Sequence, residues 1–372
     1  MELFWEPQTI TKIIDEKYGD GRSEMSSWQQ GFLCGLIKEY DPKKIVEIGV
    51  SAGGTTAVVL NALSMLCSDA HMYSVDYNEN YYLDRSKKTG FIAEWASEYL
   101  KKADTNSRWK HELLTGGGIC NFLDKIGNKI DFLILDTVHS CPGEILDFLV
   151  CLPYLTDDAV VVMHDIAMQF TSYRNAYATQ LLLDTVSAKK IVLRDENDEY
   201  HGYPNIGAFQ ICDDTLRYID NVFSALNISW NYIPSELELY RDELSKNYDE
   251  KLMDIFECAV INNTESLNKY VDKKDNELIE IAKLVHLIAG RNIYIYGNGN
   301  VGKRLHVILE KAGINILGHI VSTIEKPEDS VICIDDVILN KDDVVVVGVG
   351  SNLKPIIEEQ LKIRGIEEYI SV

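Results

Sequence analysis

Apolar residues in this chain alternate between short runs rich in valine and isoleucine and longer segments with helical spacing. The first run, KIVEIGV, precedes the helix-like TTAVVLNALSML, and HMYSVDY precedes the helix-like FIAEWASEYLKKA in the same way. The runs HELLTG, IDFLILD and AVVVMHD follow, again with helical segments between them. Short β-branched strands that alternate with helices predict a parallel sheet covered on both faces.

Two further strand-like runs, KIVLRD and IGAFQIC, have no clear helix between them, so we expect the sheet to end in an antiparallel hairpin. After Cys212 the pattern becomes polar and helical, and strands return only after Arg291. The predicted fold class is α/β, with a seven-stranded Rossmann-like sheet and a second, small Rossmann-like domain. The predicted domains are a helical cap at 1–43, the main α/β domain at 44–212, a helical connector at 213–289 and the small domain at 290–372.

Composition narrows the class of partner. A chain of 372 residues can hold two cores, and its net charge of −22 argues against nucleic acid or an anionic membrane surface as the partner. The first residues lack the basic and apolar parts of a signal peptide, and no apolar run reaches 18 residues. Eight scattered cysteines without a CxxC pair indicate buried free thiols. We therefore expect a cytoplasmic protein without membrane insertion. We also expect it to form a homo-oligomer.

The turn after the first strand is rich in glycine. Ligands of open α/β sheets bind at the carboxyl ends of the strands, and glycines there let the backbone approach a ligand closely. The spacing E-x-G-x-S-x-G-G differs from the G-x-G-x-x-G that a pyrophosphate favours, and it suits a ligand with an amino-acid end and a nucleoside. The candidate binding residues in this turn are Glu47, Gly49, Ser51, Gly53 and Gly54.

Two later strand ends complete this candidate cofactor site. Asp76 ends the second strand, where a carboxylate can accept both ribose hydroxyls of a nucleoside. Gly116 follows the third strand, where it would let an adenine edge approach. Together with the seven-strand plan and its terminal hairpin, these residues resemble the class I S-adenosylmethionine-dependent methyltransferases. The resemblance implies S-adenosylmethionine as the cofactor.

Acids and histidines follow the fourth and fifth strands. Asp136 and His139 leave the fourth strand, and His164 and Asp165 leave the fifth. Adjacent strands lie roughly 5 Å apart, so these four side chains can converge on one rim of the sheet. Their oxygen and imidazole groups suit a divalent cation such as Mg²⁺ or Mn²⁺.

This stretch resembles the macrolide sugar O-methyltransferases and the cephalosporin-hydroxylase-like proteins grouped with them. Their pattern is close to I-D-G-x-H-x-Y-x-G-x-x-x-D, with H-D after the next strand. The resemblance implies that Asp136, His164 and Asp165 bind the metal, that Asp136 also borders the cofactor, and that His139 is the general base. Thr137, Val138 and Cys141 depart from the pattern, and a protein that binds S-adenosylmethionine without catalysis therefore stays an alternative.

A second glycine turn lies near the C-terminus, in YIYGNGNVGKRL. Gly297, Gly299 and Gly302 have the G-x-G-x-x-G spacing between a strand and a helix, which favours a nucleotide. However, Ser322 and Thr323 stand where a ribose-binding acid is expected. The unit resembles small Rossmann-type domains appended to polysaccharide-modifying enzymes. NAD(P) or a nucleotide-sugar, partner docking, or no ligand at all remain open for it.

These observations predict a transferase that methylates a hydroxyl of a sugar or glycan precursor, in surface-polysaccharide or natural-product biosynthesis. S-adenosylmethionine would be its cofactor, and magnesium or manganese would assist. The alternative from another enzyme class is an NAD(P)- or nucleotide-sugar-dependent enzyme whose reaction takes place in the C-terminal domain. That enzyme would need a catalytic base near Gly297, and the sequence offers no Tyr-x-x-x-Lys there.

Overall fold

The computed structural model describes residues 3–6, 10–19, 25–170, 175–193, 203–323, 330–340, 343–350, 353–366 and 368–371, without the side chains of 268–282. The chain divides into two compact units, Met1–Leu267 and Asn268–Val372. The division falls inside the predicted connector 213–289. Helices of that connector pack onto the first unit, since Leu244 of one helix and Phe256 of the next belong to its apolar core.

A seven-stranded sheet organises the first unit. Its order is β3-β2-β1-β4-β5-β7-β6, in which β1 to β5 are parallel and β7 runs antiparallel to both β5 and β6. The predicted terminal hairpin is therefore present, with β7 inserted next to β5. The strands are β1 Lys44–Ile48, β2 His71–Asp76, β3 Lys110–Thr115, β4 Ile130–Leu135, β5 Leu155–His164, β6 Lys189–Ile191 and β7 Ile206–Gln210.

Helices cover both faces of this sheet. Alternate side chains of β4 enter different apolar clusters: Leu133 and Leu135 pack on one face, while Phe132 and Ile134 pack on the other. The helices are α1 Ile10–Tyr18, α2 Ser27–Tyr40, α3 Gly54–Met65, α4 Phe91–Ala103, α5 Leu123–Ile126, α6 Gly143–Cys151, α7 Ala178–Thr185, α8 Asp213–Arg217, α9 Asp220–Ala225, α10 Leu237–Asn247 and α11 Glu250–Ile288, which extends into the second unit.

Strand register sets the position of the candidate site. Leu135 at the end of β4 pairs with Ile48 of β1 on one side and with Met163 of β5 on the other. The residues that follow these three positions therefore emerge at the same edge of the sheet. This confirms that the glycine turn after β1 and the polar residues after β4 and β5 share one rim.

The second unit is a smaller α/β structure with a five-stranded parallel sheet in the order β10-β9-β8-β11-β12. Among the described residues, no helix of the chain is both long enough and apolar enough to span a membrane. The elements of this unit are β8 Asn292–Tyr296, α12 Asn300–Lys311, β9 Asn315–Val321, β10 Val331–Cys333, β11 Asp343–Val347, α13 Lys354–Ile363 and β12 Tyr369–Ser371.

Candidate active site

The glycine turn after β1 passes directly against the end of β4. Gly49 has φ 93°, and a Cβ atom built on it would lie 1.8 Å from the carbonyl oxygen of Asp136. Its N–H donates to the carbonyl oxygen of Val75, 2.9 Å away. Only glycine fits such a close approach in this conformation. The predicted need for glycine at this turn thus has a local cause, which is contact with the neighbouring strand.

Asp76 holds this turn in place. Its Oδ2 accepts hydrogen bonds from the N–H groups of Val50 and Ser51, at 2.9 and 3.0 Å, and its Oδ1 accepts from Asn78 N–H at 2.8 Å. Ser51 adopts φ 54°, a left-handed conformation that is unfavourable for a residue other than glycine. The carboxylate predicted to bind ribose therefore lies in the cavity described below and also fixes the turn.

The other predicted glycines have different surroundings. Gly53 has φ 90°, and a Cβ there would lie 2.7 Å from the backbone nitrogen of Ala93, so it permits close packing of α4. Gly54 begins α3 and lines the cavity. Gly116 has φ 89° and faces the side chain of Glu79, and it does not line the cavity.

Glu47 lies beneath the turn and is 1% exposed. Its Oε2 accepts a hydrogen bond of 2.6 Å from the hydroxyl of Thr56, whereas its Oε1 has no hydrogen-bond partner among the described residues. Burial raises the pKa of Glu47 to about 8, against the opposing effect of hydrogen bonds from Thr56 and Ser74. Glu47 does not line the cavity described below, so the contact with the cofactor predicted for it stays a prediction.

His164 joins the ends of β4 and β5. Its Nδ1 lies 3.1 Å from Asp136 Oδ1, and its Nε2 lies 3.2 Å from Gln29 Oε1. That amide oxygen also accepts a hydrogen bond from the backbone of Ser26 in the capping box of α2, so the His164 ring nitrogen acts as a donor to it. In the neutral ring Nδ1 therefore keeps its lone pair, and this nitrogen also lies 3.4 Å from Asp165 Oδ2. The ligand role expected for His164 stays a prediction.

His139 lies beside the same two aspartates. Its Nε2 lies 3.2 Å from Asp165 Oδ2 and 3.9 Å from Asp136 Oδ1. One ligand atom from each of these three residues lies within 4.8 Å of the others, which is a possible metal group. His139 and Asp165 both have left-handed backbones, with φ 55° and 57°, and such strained residues often occur at functional sites.

Hydrogen bonds fix the two strained residues. Asp165 Oδ1 accepts from the Asn205 side-chain amide at 2.5 Å. The N–H of His139 donates to Glu144 Oε1 at 2.6 Å, and the hydroxyl of Thr137 donates to the same oxygen at 3.0 Å. Glu144 is fully buried in the first turn of α6. Asn205 and Glu144 were not predicted, because an amide after a loop and an acid at a helix start have no distinctive sequence signal.

Neighbouring charges determine the protonation of His139 and Asp136. Burial acts to lower the pKa of His139, but hydrogen bonding and charge from Glu144, with the charges of Asp136 and Asp165, outweigh it and raise this pKa to about 9. Burial likewise acts to raise the pKa of Asp136, and the two histidines hold it below its ordinary value. In this arrangement His139 is mostly protonated at pH 7, so it becomes a proton acceptor only when the surrounding negative charge is neutralised.

A cavity of about 750 Å³ extends over this rim of the first unit. This volume is in the range of pockets for small-molecule ligands. Its lining includes Asp76 and the turn after β1 on one side and Asp136 and His139 on the other. Asp147, the last acid of the O-methyltransferase pattern above, also lines the cavity. Sequence reasoning missed several lining residues from the turn after β3 and from the predicted connector: Gly118, Ile119, Tyr232, Ser235, Glu236 and Tyr240.

The second glycine turn is built for packing between strand and helix. A Cβ on Gly302 would lie 2.0 Å from the carbonyl oxygen of Gly297, which itself has φ 115°. Gly299 has open space around its Cβ position. At the end of β9, the hydroxyl of Ser322 lies 2.8 Å from that of Tyr296. Two of the three predicted glycines therefore have a structural reason that requires no ligand.

The strand order of the first unit, with an antiparallel β7 between β5 and β6, defines the class I methyltransferase fold that the sequence predicts. The comparisons agree, since residues 46–166 match a family described as a methyltransferase domain. The fold class predicted from the sequence is thus confirmed, and the matched family agrees with the predicted enzyme class. No curated protein matches the chain significantly.

Several solved structures resemble the first unit at low sequence identity. One is the O-methyltransferase TomG from Streptomyces achromogenes in complex with SAM, with 17% identity, a TM-score of 0.40, and coverage of 56% of this chain and 92% of that one. Another is an O-methyltransferase from Bacillus cereus in complex with SAH, with 18% identity, a TM-score of 0.38, and coverage of 55% and 90%.

Proposed function

We propose that this protein is an O-methyltransferase that transfers a methyl group from S-adenosylmethionine to a hydroxyl of a sugar or glycan precursor in the cytoplasm. The observation that carries the proposal is the single cavity that joins the glycine turn and Asp76 to Asp136 and His139. A cofactor on the first side and a hydroxyl on the second would lie next to each other. The C-terminal unit, by its resemblance to domains of polysaccharide-modifying enzymes, favours a glycan pathway.

The cofactor supplies an activated methyl group on a sulfonium. Transfer to an oxygen is a displacement in line with the leaving sulfur, so the task of the protein is largely to align the two reactants. The turn held by Asp76 orients one reactant, while the rigid ends of β4 and β5 orient the other. A sugar hydroxyl reacts poorly until it loses its proton, and His139 is the proton acceptor that we assign at this rim.

The carboxylates of Asp136 and Asp165 fit a divalent cation by their donor atoms and spacing, and His139 beside them would stay free to accept a proton. A cation held there would lower the pKa of a neighbouring hydroxyl. The two aspartates also raise the pKa of His139, so neutralising their charge makes its imidazole more readily available as a base. This links metal assistance and general-base catalysis through the same side chains.

The charge of the cavity favours an acceptor without an anionic group. Among the described residues that line it there is no lysine or arginine, while Asp76, Asp136, Asp147 and Glu236 are present. Protonated His139 already faces Asp136 and Asp165, so a phosphate or carboxylate on the acceptor would gain no lysine or arginine partner from these residues. A neutral or aminated sugar meets no such penalty.

The test combines calorimetry with an activity assay. S-adenosylhomocysteine should bind the purified protein with micromolar affinity, and NAD⁺ and NADH should not. Release of S-adenosylhomocysteine should then be followed with glucose, glucosamine and glucuronate, each with and without Mg²⁺, because these sugars are similar in size and differ in charge. We expect turnover with the neutral or aminated sugar to exceed that with glucuronate. Nicotinamide cofactor binding without S-adenosylhomocysteine binding would overturn the proposal.

A further inference from the structure

A segment outside the family match forms part of the cavity wall. Residues 231–240, here called the wall segment, lie well beyond residue 166, where that match ends. Six of the ten line the cavity together with the methyltransferase turns, and this set is Tyr232, Ile233, Pro234, Ser235, Glu236 and Tyr240.

Hydrogen bonds fasten the wall segment to three neighbouring parts of the site. Asn231 forms a reciprocal pair with Cys141, in which its N–H donates to the Cys141 carbonyl at 2.9 Å and its Oδ1 accepts from the Cys141 N–H at 3.1 Å. The hydroxyls of Tyr77 and Ser235 lie 3.0 Å apart. Tyr240 donates its hydroxyl hydrogen to Asp147 of α6 at 2.6 Å. The segment thus contacts the loops after β2 and β4 as well as α6.

Glu236 makes the contact with the turn after β3. Its Oε2 accepts from the N–H of Gly118 at 2.9 Å, and its Oε1 accepts from the side-chain amide of Asn121 at 3.0 Å. A Cβ on Gly118 would lie 2.6 Å from Glu236 Oε2, so glycine is what allows the carboxylate to come this close. Gly118 and Ile119 themselves line the cavity. The carboxylate therefore fixes the backbone of a turn that faces the ligand.

We propose that Glu236 is a positioning residue that holds the turn 118–121 in the shape required to bind the cofactor of the methyltransferase site. The inference rests on the proposed function, because it takes S-adenosylmethionine as the ligand of this cavity. By this mechanism a side chain outside the matched domain determines cofactor affinity. It does so through a charge-assisted hydrogen bond to a backbone N–H group.

Calorimetric titration of S-adenosylhomocysteine tests the role of Glu236. Glu236→Ala leaves the Gly118 N–H and the Asn121 amide without their carboxylate, and we expect affinity to fall at least about tenfold. Glu236→Gln should stay within about threefold of wild type, since its oxygen can accept from Gly118 while Asn121 turns over to accept from its amide. Glu238→Ala is the matched control: this carboxylate pairs with Arg241 and its side chain is 78% exposed.

Thermal melting separates positioning from general stability. A purely structural role would lower the melting temperature of Glu236→Ala without changing the affinity of the folded protein, and that result overturns the inference. Should Glu236→Ala fail to fold, Asn121→Asp replaces it, because Asn121 is exposed and the new carboxylate would repel Glu236. Unchanged affinity in that variant likewise overturns the role. A wild-type protein that does not bind S-adenosylhomocysteine contradicts the proposed function itself.

Discussion

Replacement of Asp76 by asparagine tests how the glycine turn is held. In Asp76→Asn a single amide oxygen replaces two carboxylate oxygens that accept from three backbone N–H groups. If the oxygen faces Val50 and Ser51, the amide NH₂ opposes the N–H of Asn78; the reverse orientation leaves two N–H groups unpaired. A hydrogen bond to a charged group contributes about 1.5–3 kcal/mol, so the less costly orientation still loses roughly that amount.

The loss should appear mainly in ligand affinity. Ser51 is held at φ 54° by this carboxylate, and strain of this kind persists only while the surroundings enforce it. When the turn relaxes in the free protein, binding must reorder it, and a cost of about 1.5–3 kcal/mol corresponds to roughly a 10- to 150-fold weaker affinity. Ser51→Gly in the Asp76→Asn background should recover part of the affinity, because glycine adopts positive φ without strain.

Calorimetric titration with S-adenosylhomocysteine measures this effect. Asp104→Asn is a suitable control, since Asp104 also accepts from a backbone N–H two residues later, that of Asn106 at 2.9 Å, and it does not line the cavity. The control should bind as the wild type does. An Asp76→Asn variant that binds within twofold of wild type would refute the view that this carboxylate fixes the turn.

Three further predictions concern the metal group, a buried acid and the second unit. Asp165→Ala should abolish Mn²⁺ binding, measured by electron paramagnetic resonance, and should keep S-adenosylhomocysteine binding. Asp158 is an exposed acid of β5, so Asp158→Ala serves as the control. Retained Mn²⁺ binding in Asp165→Ala would contradict the metal group. Burial raises the pKa of Asp147 to about 7, so the folded protein keeps a proton that the unfolded chain releases near pH 4. The contribution of Asp147 to the free energy of unfolding therefore falls as pH rises from about 4 to 7. The melting temperature of Asp147→Asn should therefore exceed that of wild type by a margin that grows as pH rises through this range. A constant difference in melting temperature would refute the raised pKa of Asp147. Gly302→Ala should destabilise the second unit by about 1–3 kcal/mol in thermal melts, because its Cβ would meet the Gly297 carbonyl. Gly299→Ala is the control, and it should change the stability little because the space around its Cβ position is open. Equal effects of the two substitutions would count against the packing explanation.

The location of the site at this rim of the sheet could be predicted from the sequence. Parallel strands place their carboxyl ends at the same edge, independently of the conformation of the loops that follow. Asp136, His139 and Asp165 could be brought together on that basis alone. The hydrogen bond that orients His164 could not be predicted, because its partner is Gln29 of α2. That glutamine is distant in sequence, and it reaches His164 only after α2 has packed against the sheet. Local patterns carry no signal for such a partner.

The wall segment was missed for a different physical reason. Helical periodicity in 213–289 predicts that a helix has an apolar face but not which surface that face will cover. In the structure, Trp230 and Leu244 bury their side chains in the core of the first unit, and this fixes residues 231–240 over the cavity. The part of the chain that the sequence presents as a connector thus supplies ligand-facing side chains.

Glycine spacing is a weaker guide to binding than the surroundings of each glycine. Gly53 and Gly302 both belong to motifs that suggest a ligand, yet their missing side chains make room for neighbouring backbone, at Ala93 and Gly297 respectively. Gly118 was not predicted, and its missing side chain makes room for the carboxylate of Glu236 beside the cavity. A strand and helix must approach closely at any tight turn, with or without a ligand. A glycine turn therefore predicts a binding site only when polar groups such as Asp76 line a cavity beside it.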